Sequence, residues 1–212
     1  MSAVRGVIFS LDDVLVQTGD IHRSAWLAVA GRAGIHVTEA DAARLSGMSR
    51  EGTARTLLET SGAPASPAEL EVLAAEKNVA YRRLVRRLTP ADVTPGAREL
   101  LTDLRARGLR LAAGSGGRNA KYILERVGLH PLFDAISDGD NVTRPKPDPE
   151  VFIRAADFLA LDARDCVVVE GSASGVEAAH HGGFRCYGFG QAADHPSATA
   201  RLDRLSDILA HL

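Results

Sequence analysis

The chain has 212 residues, 45% hydrophobic, 5% aromatic and 25% charged, with 25 Lys and Arg against 27 Asp and Glu for a net charge of −2. That length buries a sizeable core, as one large domain or as a core with a smaller insert, and the near-neutral balance argues against a dedicated nucleic-acid binder. No run approaches the roughly 18 apolar residues of a membrane span, and Met1 to Ser10 lacks the basic-then-apolar plan of a secretory leader, so the expectation is a cytoplasmic protein without a membrane partner.

Val4–Leu11 is a short apolar, β-branched run and reads as the first strand. From about residue 18 to 88 no strand-like run occurs. Helical patterns there cover Ile21–Ala33, Glu39–Leu45, Gly52–Thr60 and Pro67–Leu88, which predicts a small inserted bundle with Trp26 in its core. The arginines of Tyr81–Arg87 fall in i, i+4 pairs, the spacing of a solvated helix face rather than of a nucleic-acid patch.

Beyond residue 88, helices and strands alternate. Pro95–Arg107 reads as a helix stopped by Gly108, Leu109–Ala113 as a strand, and Arg118–Val127 as a helix ended by Gly128. A weaker strand at Asp134–Ser137 precedes a helix at Pro149–Ala160, a strand at Cys166–Val169, a helix at Gly175–His181 and a strand at Arg185–Phe189. Arg201–Leu212 reads as a terminal helix. The alternation predicts an α/β fold: a doubly wound, Rossmann-like parallel sheet built from residues 1–17 and 89–212, with the helical insert at 18–88. Cys166 and Cys186 form no CxxC pair and read as reduced, buried thiols. His180 and His181, just before two glycines, read as a helix end rather than as metal ligands.

In an open α/β sheet, ligands bind at the carboxyl ends of the strands. Ser10, Asp12 and Asp13 follow the first strand; Ser115, Gly116, Gly117, Arg118 and Asn119 follow the second; Glu170 to Ser174 follow the fourth. Lys146 sits in a proline-rich loop, Arg144-Pro145-Lys146-Pro147. Hydroxyls, glycine amides, a lysine and acidic groups at one rim suit an anionic ligand, most naturally a phosphate.

These residues carry a resemblance across nearly the whole chain. Val7-Ile8-Phe9-Ser10-Leu11-Asp12-Asp13-Val14, Ser115, Lys146 and Glu170-Gly171-Ser172-Ala173-Ser174-Gly175 stand, in order, where the haloacid dehalogenase superfamily has its four motifs. Ser46-Gly47-Met48-Ser49-Arg50-Glu51 and Glu76-Lys77-Asn78 resemble the cap of its β-phosphoglucomutase branch. The resemblance implies a helical cap over a phosphotransferase core, with magnesium as cofactor and a hexose phosphate as ligand. Asp12 then stands at the general acid/base position, and Arg50, His22 and Lys77 at substrate-facing cap positions.

The departures are as specific as the match. Ser10 stands where the family has its nucleophilic Asp, and Gly171 where it has a magnesium-binding Asp. Gly117 replaces a phosphate-gripping Ser, and Asp13 replaces the Gly after the acid/base. A serine hydroxyl is protonated near neutrality unless a base activates it, and its phosphate is an unactivated ester. Magnesium wants near-ideal octahedral oxygen ligation, and only the Asp12 carbonyl and Glu170 carboxylate remain to supply it. The sequence therefore reads as a sugar-phosphate binder with transfer impaired or lost and magnesium weak or absent. It is open to a protein partner. Two alternatives stand beside it: a metal-independent isomerase or lyase working through Asp12 and Lys146, and an ordinary mutase or phosphatase carrying inactivating substitutions.

Overall fold

The computed structural model describes residues 3–38, 41, 50–63 and 65–212. The Glu39–Leu45 pattern, Asp41 apart, and Ser46 to Ser49 of the first cap motif lie outside the described residues. The chain divides into two compact units, residues 1–17 with 89–212 and residues 18–88.

The larger unit is a six-stranded sheet: β1 (Gly6–Ser10), β2 (Arg110–Gly114), β3 (Ala135–Ser137), β4 (Cys166–Glu170), β5 (Arg185–Phe189) and β6 (Ala200–Leu202). The order is β3-β2-β1-β4-β5-β6 and every pairing is parallel. β1 and β4 are buried along their whole length, as central strands covered on both faces must be. Crossovers leave β1 toward β2 on one side, while β4 begins the run on the other side. The carboxyl ends of β1 and β4 thus flank the topological switch point, where open α/β sheets bind ligands.

Helices α4 (Ala97–Ala106), α5 (Ala120–Arg126), α6 (Glu150–Phe158) and α7 (Ala173–His181) cover the sheet. On one face Ile8, Ala112 and Val168 pack with Phe152, Ala155, Val176 and Ala179 from α6 and α7. Each such large side chain contributes about 1.5–3 kcal/mol on burial. Gly114 is part of this packing: a Cβ there would lie 3.1 Å from the Phe152 ring. Residues Leu15 to Gln17 are tied to Asp92, Val93 and Thr94 by backbone bonds and by Gln17 Nε2 donating to Thr94 Oγ1 at 3.0 Å, which fixes both chain crossings to the sheet unit.

The smaller unit is helical. It holds α1 (Gly19–Arg32), α2 (Arg50–Thr60) and α3 (Pro67–Val85), packed around Trp26, Val29, Ala54, Leu57, Leu70 and Leu73. Ser66 and Glu69 form a capping box at the start of α3 with Pro67 in its first turn, the combination that best satisfies the leading amide groups. Arg82, Arg83, Arg86 and Arg87 are all exposed.

The C-terminal segment corrects the sequence reading. In place of a helix over Arg201–Leu212, residues Ala200–Leu202 add the edge strand β6 and Leu205–His211 form a 3-10 turn. Leu205 and Ile208, the buried pair, are three apart, and a three-residue turn stacks them on one side. Helix starts also shift: Gly96, at φ +79°, caps α4, so Pro95 lies outside it, and α5 begins at Ala120 rather than at Arg118.

Candidate functional site

β1 and β4 pair up to Phe9 and Val169, so Ser10 and Glu170 emerge side by side on one face at the carboxyl edge. Both are buried. The Lys146 ammonium reaches them from the proline-rich loop, 2.5 Å from Glu170 Oε1 and 3.4 Å from Ser10 Oγ, and lies 4.8 Å above the Phe152 ring. The Ser172 amide and hydroxyl donate to the other carboxylate oxygen, Oε2, at 2.7 and 2.9 Å. Burial alone would raise the Glu170 pKa. The Lys146 charge, together with hydrogen bonds from Lys146, Ser10 and the Ser172 amide, outweighs it and holds the carboxyl below its ordinary value. Ser10 therefore accepts from an ammonium and donates to an ionised carboxylate.

Two features that sequence reasoning missed hold this cluster in place. Gly175 leaves room for the carboxylate: a Cβ there would sit 2.1 Å from Glu170 Cδ. Glu150, at the start of α6, accepts from the Thr143 and Arg144 amides at 3.1 and 2.8 Å and from the Thr143 hydroxyl, which pins the loop leading to Lys146. Led by the Arg144 amide, these donors pull the Glu150 pKa down to about 2. The Ser172 role had a sequence signal, since a serine just before a helix is a capping residue, and its Oγ accepts from the Gly175 amide.

The loop Leu11 to Val16 turns tightly after β1, with the Leu15 and Val16 amides donating to Leu11 O and the Asp13 amide to Val16 O. Asp13 lies at φ +57°, a left-handed position that suits glycine and that Asp tolerates better than most residues. Across from it, a Cβ on Gly171 would stand 3.8 Å from Asp12 O and 3.1 Å from Val14 Cγ2.

After β2, the Ser115 amide donates to Ser137 O at 2.9 Å and the Ser115 hydroxyl accepts from the Gly117 amide at 3.2 Å. The Gly139 amide donates to Gly117 O, and Arg118 Nε to Gly139 O, so the β3 loop braces residues 115–119. Asn119 is buried at the start of α5, whereas Gly116 and Arg118 are exposed. Asp138, buried beside this loop, was not anticipated. Burial and the Asp140 charge raise its pKa against a bond from the Asp140 amide.

In the helical unit, buried Lys77 approaches His22 Nδ1 at 2.7 Å and lies 4.3 Å over the Tyr81 ring, and His22 packs on Tyr81 at 4.2 Å between centroids. Arg50 opens α2.

Comparison with known proteins decides the family. The model for haloacid dehalogenase-like hydrolases matches residues 4–183. The chain belongs to that family. It is 33% identical to a β-phosphoglucomutase of Bacillus subtilis (strain 168) over 99% of this chain and 93% of the relative. A fructose-1-phosphate phosphatase of Escherichia coli (strain K12) is 29% identical over 84% of this chain and 93% of its own length. The crystal structure of a β-phosphoglucomutase from Clostridium difficile superposes with a TM-score of 0.88 at 28% identity, covering 97% of this chain and 93% of that one.

Magnesium is the cofactor this family implies, and the donor set does not fit it. Position 10 offers a neutral hydroxyl, position 171 offers no side chain, and both Glu170 oxygens are engaged by Lys146 and Ser172. Among the described residues no group of three or more His, Cys, Asp or Glu is placed to hold a metal. Magnesium is usually held through one or two carboxylates with waters completing the octahedron, and of positions 10, 170 and 171 only Glu170 offers one, already engaged.

Proposed function

We propose that this chain binds a phosphorylated sugar, a hexose phosphate foremost, and that magnesium-dependent transfer through an aspartyl-phosphate is lost or severely impaired in it. One observation carries the reading: Ser10, Lys146 and Glu170 satisfy one another at the position where the family's nucleophile and cation work. Ser10 has no strong base beside it, because Glu170 is a carboxylate held in its ionised form by an ammonium. The fold and the relatives' activities on phosphorylated sugars support a binding role.

In this reading Ser115 and the Gly116, Gly117, Arg118 and Asn119 loop hold the phosphate, with Lys146 supplying charge. Arg50, His22 and Lys77 are the candidate ligand residues of the helical unit, and Asp12 keeps the acid/base position. Cytoplasmic residence is the setting we infer, in keeping with two buried, unpaired thiols. No helix among the described residues is long and apolar enough to cross a membrane. A protein partner fits a binder without turnover.

The test is calorimetric titration with glucose 1-phosphate and fructose 1-phosphate, in chelator and then in magnesium. Saturable binding in chelator, weakened by Ser115→Ala, is expected. Binding of neither sugar phosphate would refute the binding role, and binding only with magnesium would refute the metal-independent form of it.

A further inference from the structure

The amino-terminal edge of the sheet, opposite the rim just described, carries a cluster of cations that the proposed function leaves unused. Arg5 leads into β1 and Arg110 opens β2; the strands pair Gly6 with Arg110, and the Arg110 amide donates to Arg5 O at 3.0 Å. Arg107 closes α4, and Gly108, at φ +80°, turns the chain back so that Arg107 and Arg110 lie on the same edge. Between them is a cavity of about 190 Å³ lined by Val4, Arg5, Arg107, Gly108, Leu109, Arg110 and Leu161.

Three arginines and three aliphatic residues are among its lining, and no acidic residue is. Each guanidinium carries five N–H donors, and the contacts within the chain use few of them. Arg5 has a long, 3.7 Å pairing with Asp165. Arg107 turns Nε and Nη2 toward Asp103 at 3.1 and 2.9 Å. Arg110 Nη1 donates to Leu159 O at 2.5 Å, which fixes its plane from the partly buried side.

We propose that this cavity is a second anion site, taking a phosphate group either as the free ion or as a small monoester. Planar guanidinium forks match the oxygens of a tetrahedral phosphate two at a time, and three of them can meet a dianion from different sides. The cavity opens to solvent on one side, and its volume accommodates a phosphate with a short carbon body. Val4, Leu109 and Leu161 give that body an apolar floor. Asp103, Asp165 and Asp134 are the competitors already in place: Asp103 takes two donors of Arg107, Asp165 stands 3.7 Å from Arg5, and Asp134 feels the charge of Arg110. All three are outside the lining, and a dianion has to compete with them for the guanidinium donors. Binding is therefore weak and sensitive to salt.

The test is a titration of the uniformly ¹⁵N-labelled full chain, followed by amide spectra at constant ionic strength, with inorganic phosphate in one arm and glycerol 3-phosphate in the other. The Gly108, Leu109 and Arg110 amides are expected to shift saturably at millimolar ligand. The exposed Arg107→Gln substitution should weaken that response about tenfold, with Arg5→Gln acting in the same direction. The same shifts should persist in Ser115→Ala, which disables the rim loop and separates this site from the proposed sugar-phosphate site. A stronger response to glycerol 3-phosphate than to phosphate assigns the apolar floor to the ester body; equal responses assign the site to the free ion. Unmoved amides at 108–110 in both arms would overturn the proposal, as would shifts that survive Arg107→Gln and Arg5→Gln with the rest of the spectrum native.

Discussion

Glu170 and Lys146 together show what one residue can decide. With the carboxylate buried and the ammonium 2.5 Å away, Lys146→Met leaves an uncompensated charge inside the protein. That substitution should cost about 3 kcal/mol of unfolding free energy, read from urea denaturation. Lys146→Met with Glu170→Gln should recover much of the loss, because no orphaned charge is then left. Glu150 gives a pH signature. Its folded pKa is about 2 against an ordinary 4.5, so its contribution to stability is complete above about pH 4.5 and is lost as pH falls toward 2. Glu150→Gln should flatten that acid limb, and a carboxyl NMR titration should locate the midpoint near 2. The cysteines have the opposite sign. Burial pushes Cys166 up to about 11 and Cys186 up to about 12, so neither thiol should alkylate in the native state at pH 8.

At the scale of elements, the start of α7 is built around the carboxylate at the end of β4. Replacing a helix glycine by alanine ordinarily gains about 1 kcal/mol. Gly175→Ala should instead cost about 2 kcal/mol, because the new methyl occupies the space of the Glu170 carboxylate. Thermal unfolding checks the sign. The same contrast separates what was legible in the sequence from what was not. β1, β4 and β5 are continuous apolar runs, so burial on both faces announced them. β6 is three residues long and exists through pairing with β5, a long-range event that leaves Arg201 and Leu202 looking like the start of a helix in isolation. The rim residues Ser10, Ser115 and Glu170 were legible because each ends a strand or directly follows one. Gly175 and Glu150 were not, since each acts through a contact several residues away that no periodicity records.

At the scale of the molecule, the family fold is kept, and in the proposed reading two carboxylates of its site are gone. On that reading Ser10 and Gly171 belong to one catalytic unit, so restoring either alone should do little. Ser10→Asp returns a nucleophile while position 171 still offers no carboxylate to magnesium, and Gly171→Asp returns a ligand but leaves a hydroxyl to attack. The two effects should be strongly non-additive. Even the pair faces a tight fit, with the new Cβ at 171 lying 3.1 Å from Val14 Cγ2. Calorimetry should likewise show no tight magnesium binding in the unsubstituted chain, and measurable binding in the pair. The most direct measurement is turnover of β-glucose 1-phosphate, with magnesium and a bisphosphate primer, by the unsubstituted chain beside Ser10→Asp/Gly171→Asp. The account predicts no turnover above background by the unsubstituted chain and detectable activity only in the pair; robust magnesium-dependent turnover by the unsubstituted chain would contradict it.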